Sequence, residues 1–157
     1  MELHPDFRDL LAEFAQEDVK FMVIGGYAVG HHDRPRYTKD IDLWLESGAD
    51  NVASAVRALL AFGAPEPVAN ALQSARKDEI VWIGTPPLRV DFLQEIPGVQ
   101  FRDAWKRRVV VTWGDQVVPV ISLDDLITAK RAAAREQDLT DVRNLEQVRD
   151  RRSRTRQ

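Results

Sequence analysis

The stretch that decides the fold reads VIGGYA at residues 23–28 and TKDIDLW at residues 38–44. Its first part is the end of an apolar run, Phe21 to Ile24, which predicts a short buried strand followed by a tight turn at Gly25-Gly26. Glycine tolerates a positive φ and lets backbone N–H groups approach a ligand closely. The amides of such a turn, together with the N-terminus of a following helix, favour an anion-binding site.

The second part places Asp40 directly before another predicted strand, Ile41 to Leu45, and Asp42 within it. Residues two apart in a strand face the same side, with Cα atoms roughly 6.5–7 Å apart. Two carboxylates at that spacing can bind one hard cation such as Mg²⁺. The alternative is an exposed polar face, because charged residues make up 30% of the chain and a second acidic pair, Glu136 and Asp138, lies in a helical region.

A third carboxylate lies in the strand-like segment LRVDF at residues 88–92. The apolar residues of this segment alternate with Arg89 and Asp91, so these two charged residues share a face. Taken alone, Asp91 fits an ion pair or a polar face equally well. Together with Asp40 and Asp42, it indicates two metal positions about 3.5–4 Å apart, one for a triphosphate and one for an incoming hydroxyl.

The remaining pattern predicts an α+β fold, with a central mixed sheet of about five strands and helices before, between and after them. Helical periodicity begins at Pro5, at Val52 and after Ser122, where serine followed by Asp125 resembles a capping box. Two hairpins are expected, one with its turn at residues 85–87 and the other with its turn at residues 114–115. Regular alternation of strand and helix is missing from this order, which disfavours a doubly wound sheet.

We expect one domain over residues 1–148 and a basic, flexible tail over residues 149–157. The chain has a net charge of −3, while the tail holds five arginines and one aspartate, so the preceding residues are strongly acidic. This distribution suggests a polyanionic partner, with a solvated chain end as the alternative. The loop at residues 31–39 is also basic and could bind triphosphate or an RNA backbone.

Composition limits the class of protein. The chain has 157 residues, is 44% hydrophobic and contains no cysteine, which is typical of one globular domain without disulfides or thiolate zinc sites. No apolar run approaches the ~18 residues of a membrane helix. The first nine residues lack the basic start and apolar centre of a signal peptide. We therefore expect a cytoplasmic protein that does not enter a membrane.

The order of these motifs resembles the nucleotidyltransferase superfamily. That order is a strand ending in Gly-Gly, a gap of about a dozen residues, an Asp-x-Asp strand and an aspartate in a later strand. The sequence of residues 23–28 and 38–43 is most similar to the branch related to abortive-infection toxins of the AbiEii kind. The segment SLDDLITAK at residues 122–130 also resembles that branch. The resemblance covers roughly residues 21–145 and implies a nucleotidyltransferase-like sheet.

The resemblance also implies residue roles. Gly25 and Gly26 would contact the triphosphate of a nucleoside triphosphate. Asp40 and Asp42 would bind Mg²⁺ or Mn²⁺, and Asp91 would complete the metal site and assist deprotonation of an acceptor hydroxyl. Lys130 would neutralise phosphate charge, with a solvated lysine as the alternative. Asp138 would orient Lys130 or cap a helix.

The implied reaction moves a nucleoside monophosphate to an acceptor on tRNA or protein, in a toxin that has an antitoxin partner or a role in phage defence. Two alternatives remain: an enzyme that modifies a small molecule of the aminoglycoside type, and a non-catalytic binding partner that keeps the fold. Gly26 stands where the family often has serine, which removes a hydroxyl but keeps the amide. Four tryptophans, at positions 44, 82, 105 and 113, could stack on a base or pack in the core.

Overall fold

The computed structural model describes residues 3–156, and the outermost residues of the predicted domain and tail, Met1, Glu2 and Gln157, lie outside them. The predicted α+β class is confirmed. The helices are α1 (Pro5–Gln16), α2 (Gly25–His32), α3 (Ala49–Phe62), α4 (Glu66–Ser74), α5 (Phe101–Arg107), α6 (Leu123–Ala133) and α7 (Glu136–Thr155). The strands are β1 (Phe21–Ile24), β2 (Asp40–Leu45), β3 (Val81–Ile83), β4 (Arg89–Leu93), β5 (Val109–Trp113) and β6 (Gln116–Val120).

The described strands form one mixed sheet in the order β3-β4-β2-β1-β6-β5. Its centre combines an antiparallel pair, β1 with β2, and a parallel pair, β2 with β4. The sheet has six strands rather than about five, because every strand-like segment joins it, including the three-residue edge strand β3. The expected hairpins are β3–β4 and β5–β6, both antiparallel.

One face of the sheet is apolar and lies against α1. Phe7, Leu10, Leu11 and Phe14 form the buried stripe of this helix. The ring of Phe14 lies 5.2 Å from that of Phe21 in β1 and 6.0 Å from that of Phe92 in β4. Because strand side chains alternate, burying Phe92 on this side turns Asp91 to the other side. The alternation of apolar and charged residues along β4 therefore places the core on one face of the sheet and the carboxylates on the other.

The C-terminal helices α6 and α7 pack against each other, and α7 ends later than the sequence predicted. Ser122 caps α6, its hydroxyl accepting a hydrogen bond from the amide of Asp125 at 3.1 Å. The following helix, α7, continues through Thr155 where the sequence predicted a flexible tail after Val148. Among the helices of residues 3–156, none has the length and apolar character required to cross a membrane.

The strand that carries Asp40 and Asp42 is held at its far end by Asn51 of α3. The Asn51 amide group donates to the carbonyl oxygens of Lys20 and Glu46, both at 2.9 Å, and its oxygen accepts from the Lys20 amide at 2.7 Å. One buried side chain thus joins the start of β1 to the end of β2.

Replacing Asn51 with alanine should destabilise the protein by about 2–3 kcal/mol, because partly buried backbone groups lose their partners. The measurement is chemical denaturation in urea. Asn70→Ala on the exposed surface of α4 is the control and should change the free energy of unfolding by less than about 0.5 kcal/mol. Equal stabilities of the two variants would contradict the assigned role of Asn51.

Candidate active site

Three carboxylates converge at the centre of the polar face. Asp42 is the register partner of Asp91 in the parallel pair of β2 and β4, and Asp40 lies two residues before Asp42 on the same face. One oxygen from each of the three side chains lies within 4.8 Å of the others. The structure therefore brings together the three aspartates that the sequence singled out. Within residues 3–156 they are the one cluster of three histidine or acidic side chains with this geometry.

Crowding and burial change the acidity of this cluster. Burial, followed by the negative charges of Asp40 and Asp91, raises the pKa of Asp42 to about 7. Burial and the charge of Asp91 also raise the pKa of Asp40. These aspartates therefore hold protons more tightly than exposed carboxyls do. A divalent cation removes the same repulsion, and an all-oxygen donor set fits Mg²⁺ or Mn²⁺ rather than zinc.

The two glycines let the N-terminus of α2 lie directly against the carboxylates. The helix begins at Gly25, whose φ is +67°, so the predicted tight turn is the first turn of α2. A Cβ at this position would collide with the Asp42 carboxylate. A Cβ at Gly26 would lie 2.9 Å from the hydroxyl oxygen of Thr38, which itself donates to the carbonyl of Asp40 at 2.9 Å. Gly25 is therefore required for both close approach and conformation, and Gly26 for close approach alone.

Lys130 lies across the cleft from α2 and is held by two buried aspartates of α7. Its Nζ lies 3.3 Å from a carboxylate oxygen of Asp138 and 2.9 Å from one of Asp141. Arg36, from the loop before β2, binds Asp141 with two hydrogen bonds of 2.6 and 3.1 Å. Arg135 contacts Asp138 with Nε at 2.7 Å. Three cations thus surround two carboxylates, an excess of one positive charge.

The two buried aspartates of α7 are ionised. Burial alone raises the pKa of Asp138, but the hydrogen bond from Arg135 and the charge of Lys130 outweigh it and lower the pKa below its ordinary value. The pKa of Asp141 is likewise lowered, because the hydrogen bonds from Arg36 and Lys130 exceed the effect of burial. Asp138 also accepts from the amide of Arg135, so it caps α7 and orients Lys130 at once.

The carboxylates and these cations line one cleft of about 700 Å³. Gly25, Gly26, Lys130 and Asp138 all border it, so Lys130 and Asp138 lie at the same cleft as the three aspartates. The cleft has a cationic side, formed by Arg36, Lys39, Lys130 and Arg135, and an apolar side, which sequence reasoning missed. The apolar side includes Ile80, Leu93, Ile96 and Pro97.

The adjacent histidines of α2 do not join the site. His32 is buried, and its Nε2 lies 2.7 Å from the carbonyl oxygen of Ile121, to which the neutral ring donates. Burial lowers the pKa of His32 to about 4, so the ring is neutral at physiological pH. This histidine packs in the fold.

The sequence match agrees with this geometry. Residues 8–156 match the family described as "Nucleotidyl transferase AbiEii toxin, Type IV TA system". The chain belongs to this family. It is therefore a nucleotidyltransferase by membership, and the AbiEii resemblance read from the sequence is confirmed. No curated protein sequence matches the chain significantly.

Two solved structures align with this AbiEii-family protein. The lincosamide antibiotic adenylyltransferase LnuA, in its lincomycin-bound form, aligns with a TM-score of 0.59 at 14% identity, covering 94% of this chain and 98% of its own. An antigenic nucleotidyltransferase-like protein from Paracoccidioides brasiliensis aligns with a TM-score of 0.45 at 13% identity, covering 88% of this chain and 71% of its own. At 14% identity, the likeness to LnuA supports the nucleotidyltransferase fold alone.

Replacing Gly25 with alanine should weaken binding of a divalent cation at least tenfold, because the added methyl displaces the Asp42 carboxylate. Titration with Mn²⁺ followed by electron paramagnetic resonance measures this change. Gly114→Ala is a matched control, since Gly114 has a φ of +64° and open space around its Cβ position. The control should carry the same backbone strain, about 1–2 kcal/mol, and bind Mn²⁺ normally. Equal loss of Mn²⁺ binding in both variants would contradict the steric explanation.

Replacing Asp42 with asparagine should stabilise the metal-free protein at about pH 8, where the buried carboxylate is ionised. A pKa raised from 3.8 to about 7 means that the stability contributed by Asp42 is complete below pH 4 and is lost as the pH rises through 7. The variant should therefore melt several degrees above the wild type at pH 8, with the difference vanishing near pH 4. Calorimetry in chelator measures both values.

Asp115→Asn in the exposed β5–β6 turn serves as the control and should leave the melting temperature unchanged at both pH values. Adding Mn²⁺ at pH 8 should stabilise the wild type and not Asp42→Asn. A variant that melts at or below the wild-type temperature in chelator would contradict the charge repulsion at Asp42.

Proposed function

We propose that the protein is a Mg²⁺-dependent enzyme that moves a nucleoside monophosphate from a nucleoside triphosphate to an acceptor hydroxyl. The observation that carries this proposal is the cluster of Asp40, Asp42 and Asp91 directly against the N-terminus of α2. Carboxylates that bind a cation and amides that bind phosphate must adjoin in an enzyme that handles a metal-complexed triphosphate. Membership of the AbiEii family gives the same reaction class.

The triphosphate is proposed to lie between α2 and α6. The backbone N–H groups of Gly25 and Gly26 belong to the first turn of α2, where such groups have no partner within the helix and the helix dipole also favours negative charge. Lys130 offers three N–H donors, of which Asp138 and Asp141 occupy two, so one remains for a phosphate oxygen. Two buried carboxylates orient this lysine in advance, which reduces the entropy lost on binding.

Asp40, Asp42 and Asp91 would hold Mg²⁺ or Mn²⁺, which supplies neutralisation of phosphate charge and activation of the acceptor oxygen. The residues prepare that site by their position, since the parallel register of β2 and β4 places the carboxylates together before any ligand arrives. Arg89 donates its Nε–H to one oxygen of Asp91 at 2.7 Å. That hydrogen bond fixes the orientation of the Asp91 carboxylate and leaves its second oxygen for the reaction.

In the proposed transfer, the oxygen of the acceptor hydroxyl attacks the α-phosphorus of the triphosphate. A new P–O bond forms to the acceptor, the bond between the α-phosphorus and its bridging oxygen breaks, and pyrophosphate leaves with that electron pair. Asp91 accepts the hydroxyl proton. Lys130 and the amides of α2 stabilise the negative charge that develops on the phosphates, so catalysis consists of positioning and charge stabilisation.

The acceptor proposed first is a hydroxyl of tRNA or of a protein, and an antitoxin partner and a cytoplasmic location are proposed from family membership. A small hydroxylated molecule is the second candidate. The cleft volume of about 700 Å³ lies in the range of small-molecule sites, and LnuA, which shares the fold, is a lincosamide adenylyltransferase.

The test is to incubate the protein with Mg²⁺, each α-labelled nucleoside triphosphate, and either total tRNA, a cell-protein extract or a lincosamide. We expect label to move to one acceptor class with release of pyrophosphate. Asp42→Asn and Asp91→Asn should each lower the rate at least a hundredfold, and Asp115→Asn should keep it. Calorimetry of triphosphate binding with Mg²⁺ runs in parallel.

Two outcomes would contradict different parts of the proposal, namely the enzymatic activity and the role of the aspartates. No transfer together with no Mg²⁺-dependent triphosphate binding would overturn the enzymatic proposal and leave a binding module. Transfer that survives both aspartate substitutions would show that the carboxylate cluster is not the active site.

A further inference from the structure

An exposed tryptophan lies beside the third carboxylate. Trp82 of β3 is the register partner of Asp91 in β4, so the two side chains are on the same face, with Cβ atoms about 4.5–5.5 Å apart. The Trp82 side chain belongs to an edge strand, and the residue is 53% exposed. The indole beside Asp91 is therefore accessible to a ligand that approaches the carboxylates.

An arginine completes this feature. The guanidinium of Arg89 lies 4.8 Å from the centre of the Trp82 ring. Its Nε–H is used by Asp91, while the two terminal nitrogens have no hydrogen-bond partner among residues 3–156. One face of the indole is therefore covered by a cation whose remaining donors can reach an anion. Ile80, 49% exposed and two residues from Trp82, extends the same face toward the apolar side of the cleft.

The sheet order separates this pair from the proposed triphosphate site. Gly25 follows β1, and Trp82 lies in β3, three strand positions away, which corresponds to roughly 14 Å. Asp91 lies between them and faces both. A ligand on Trp82 and Arg89 would thus approach the carboxylates from the side opposite the triphosphate, which is where an acceptor must enter for in-line displacement.

We propose that Trp82 and Arg89 form the acceptor subsite, and that it binds the unpaired end of an RNA strand, the base stacking on the indole and a backbone phosphate binding the guanidinium. This inference rests on the proposed function. A planar aromatic ring beside a free guanidinium is the pair of features by which proteins bind unpaired nucleotides. A neutral small molecule would leave the guanidinium without an anionic partner.

The test measures binding without chemistry, by fluorescence anisotropy of a short, labelled single-stranded oligoribonucleotide at low salt. Trp82→Ala should weaken binding roughly tenfold or more, and Trp82→Phe should retain most of the affinity. Arg89→Ala should weaken binding and reduce its salt dependence by about one phosphate contact. The same oligonucleotide in a blunt duplex should bind more weakly than the single strand.

The chain contains matched controls for both residues. Arg108 also lies over a tryptophan, 3.9 Å from the ring centre of Trp105 in α5, so Arg108→Ala removes a comparable pair that is not part of the carboxylate site. Val117→Ala removes a side chain of a residue that is 66% exposed, in β6 near the opposite edge of the sheet. Both should bind the oligonucleotide as the wild type does. Trp82→Ala should also bind Mg²⁺ and nucleoside triphosphate normally by calorimetry.

Equal affinity of Trp82→Ala and the wild type for the oligonucleotide would overturn the inference. Equal affinity of the wild type for duplex and single strand, or its failure to bind the oligonucleotide, would also overturn it. Transfer of label to protein or to a lincosamide without oligonucleotide binding would overturn it while leaving the transferase reaction in place. Loss of triphosphate binding in the wild type would instead overturn the proposed function, because that assay contains no RNA.

Discussion

The parallel pairing of β2 with β4 is the constraint on which the active site depends. Its register sets Asp42 opposite Asp91, and the alternation of β2 adds Asp40 on the same face. The apolar face beneath holds this register, since a slip of one residue would turn Phe92 and Leu43 away from the core. Hydrophobic packing against α1 thus makes three carboxylates converge, and burial together with the charges of Asp40 and Asp91 raises the pKa of Asp42 to about 7.

The cationic side of the cleft has an excess of positive charge, in contrast to the three crowded carboxylates. Asp138 and Asp141 are 2% exposed, and buried carboxylates are stable only when they are paired. Arg36, Lys130 and Arg135 provide that pairing and leave a small excess of positive charge beside an acidic cluster. The contact between Arg36 and Asp141 also ties the loop before β2 to α7, so the strand bearing the metal-binding candidates is connected to the helix that orients Lys130.

Local pattern was enough to predict the aspartates and the strands, because alternation and the Gly-Gly step are properties of neighbouring residues. The long-range contacts could not be predicted: Arg36 and Asp141 are 105 residues apart, and no local pattern pairs them. Helices α4 and α5 were missed, since both are short and lie between turn residues. Trp82 could be noticed as a base-stacking candidate, but only the register with Asp91 gives it a position.

The two sides of the cleft differ in the ligand chemistry that they suit. The side formed by α2 and α6 presents backbone amides and a lysine, which bind phosphate and discriminate little between bases. Strands β3 and β4 place an indole and a guanidinium beside Asp91, next to the aliphatic residues that line the apolar side of the cleft, and these groups bind planar groups and phosphate together. An enzyme that joins a nucleotide to a second molecule needs both kinds of surface on either side of its carboxylates. The sheet supplies them because its central strands bear the aspartates and its edge strand stays open to solvent.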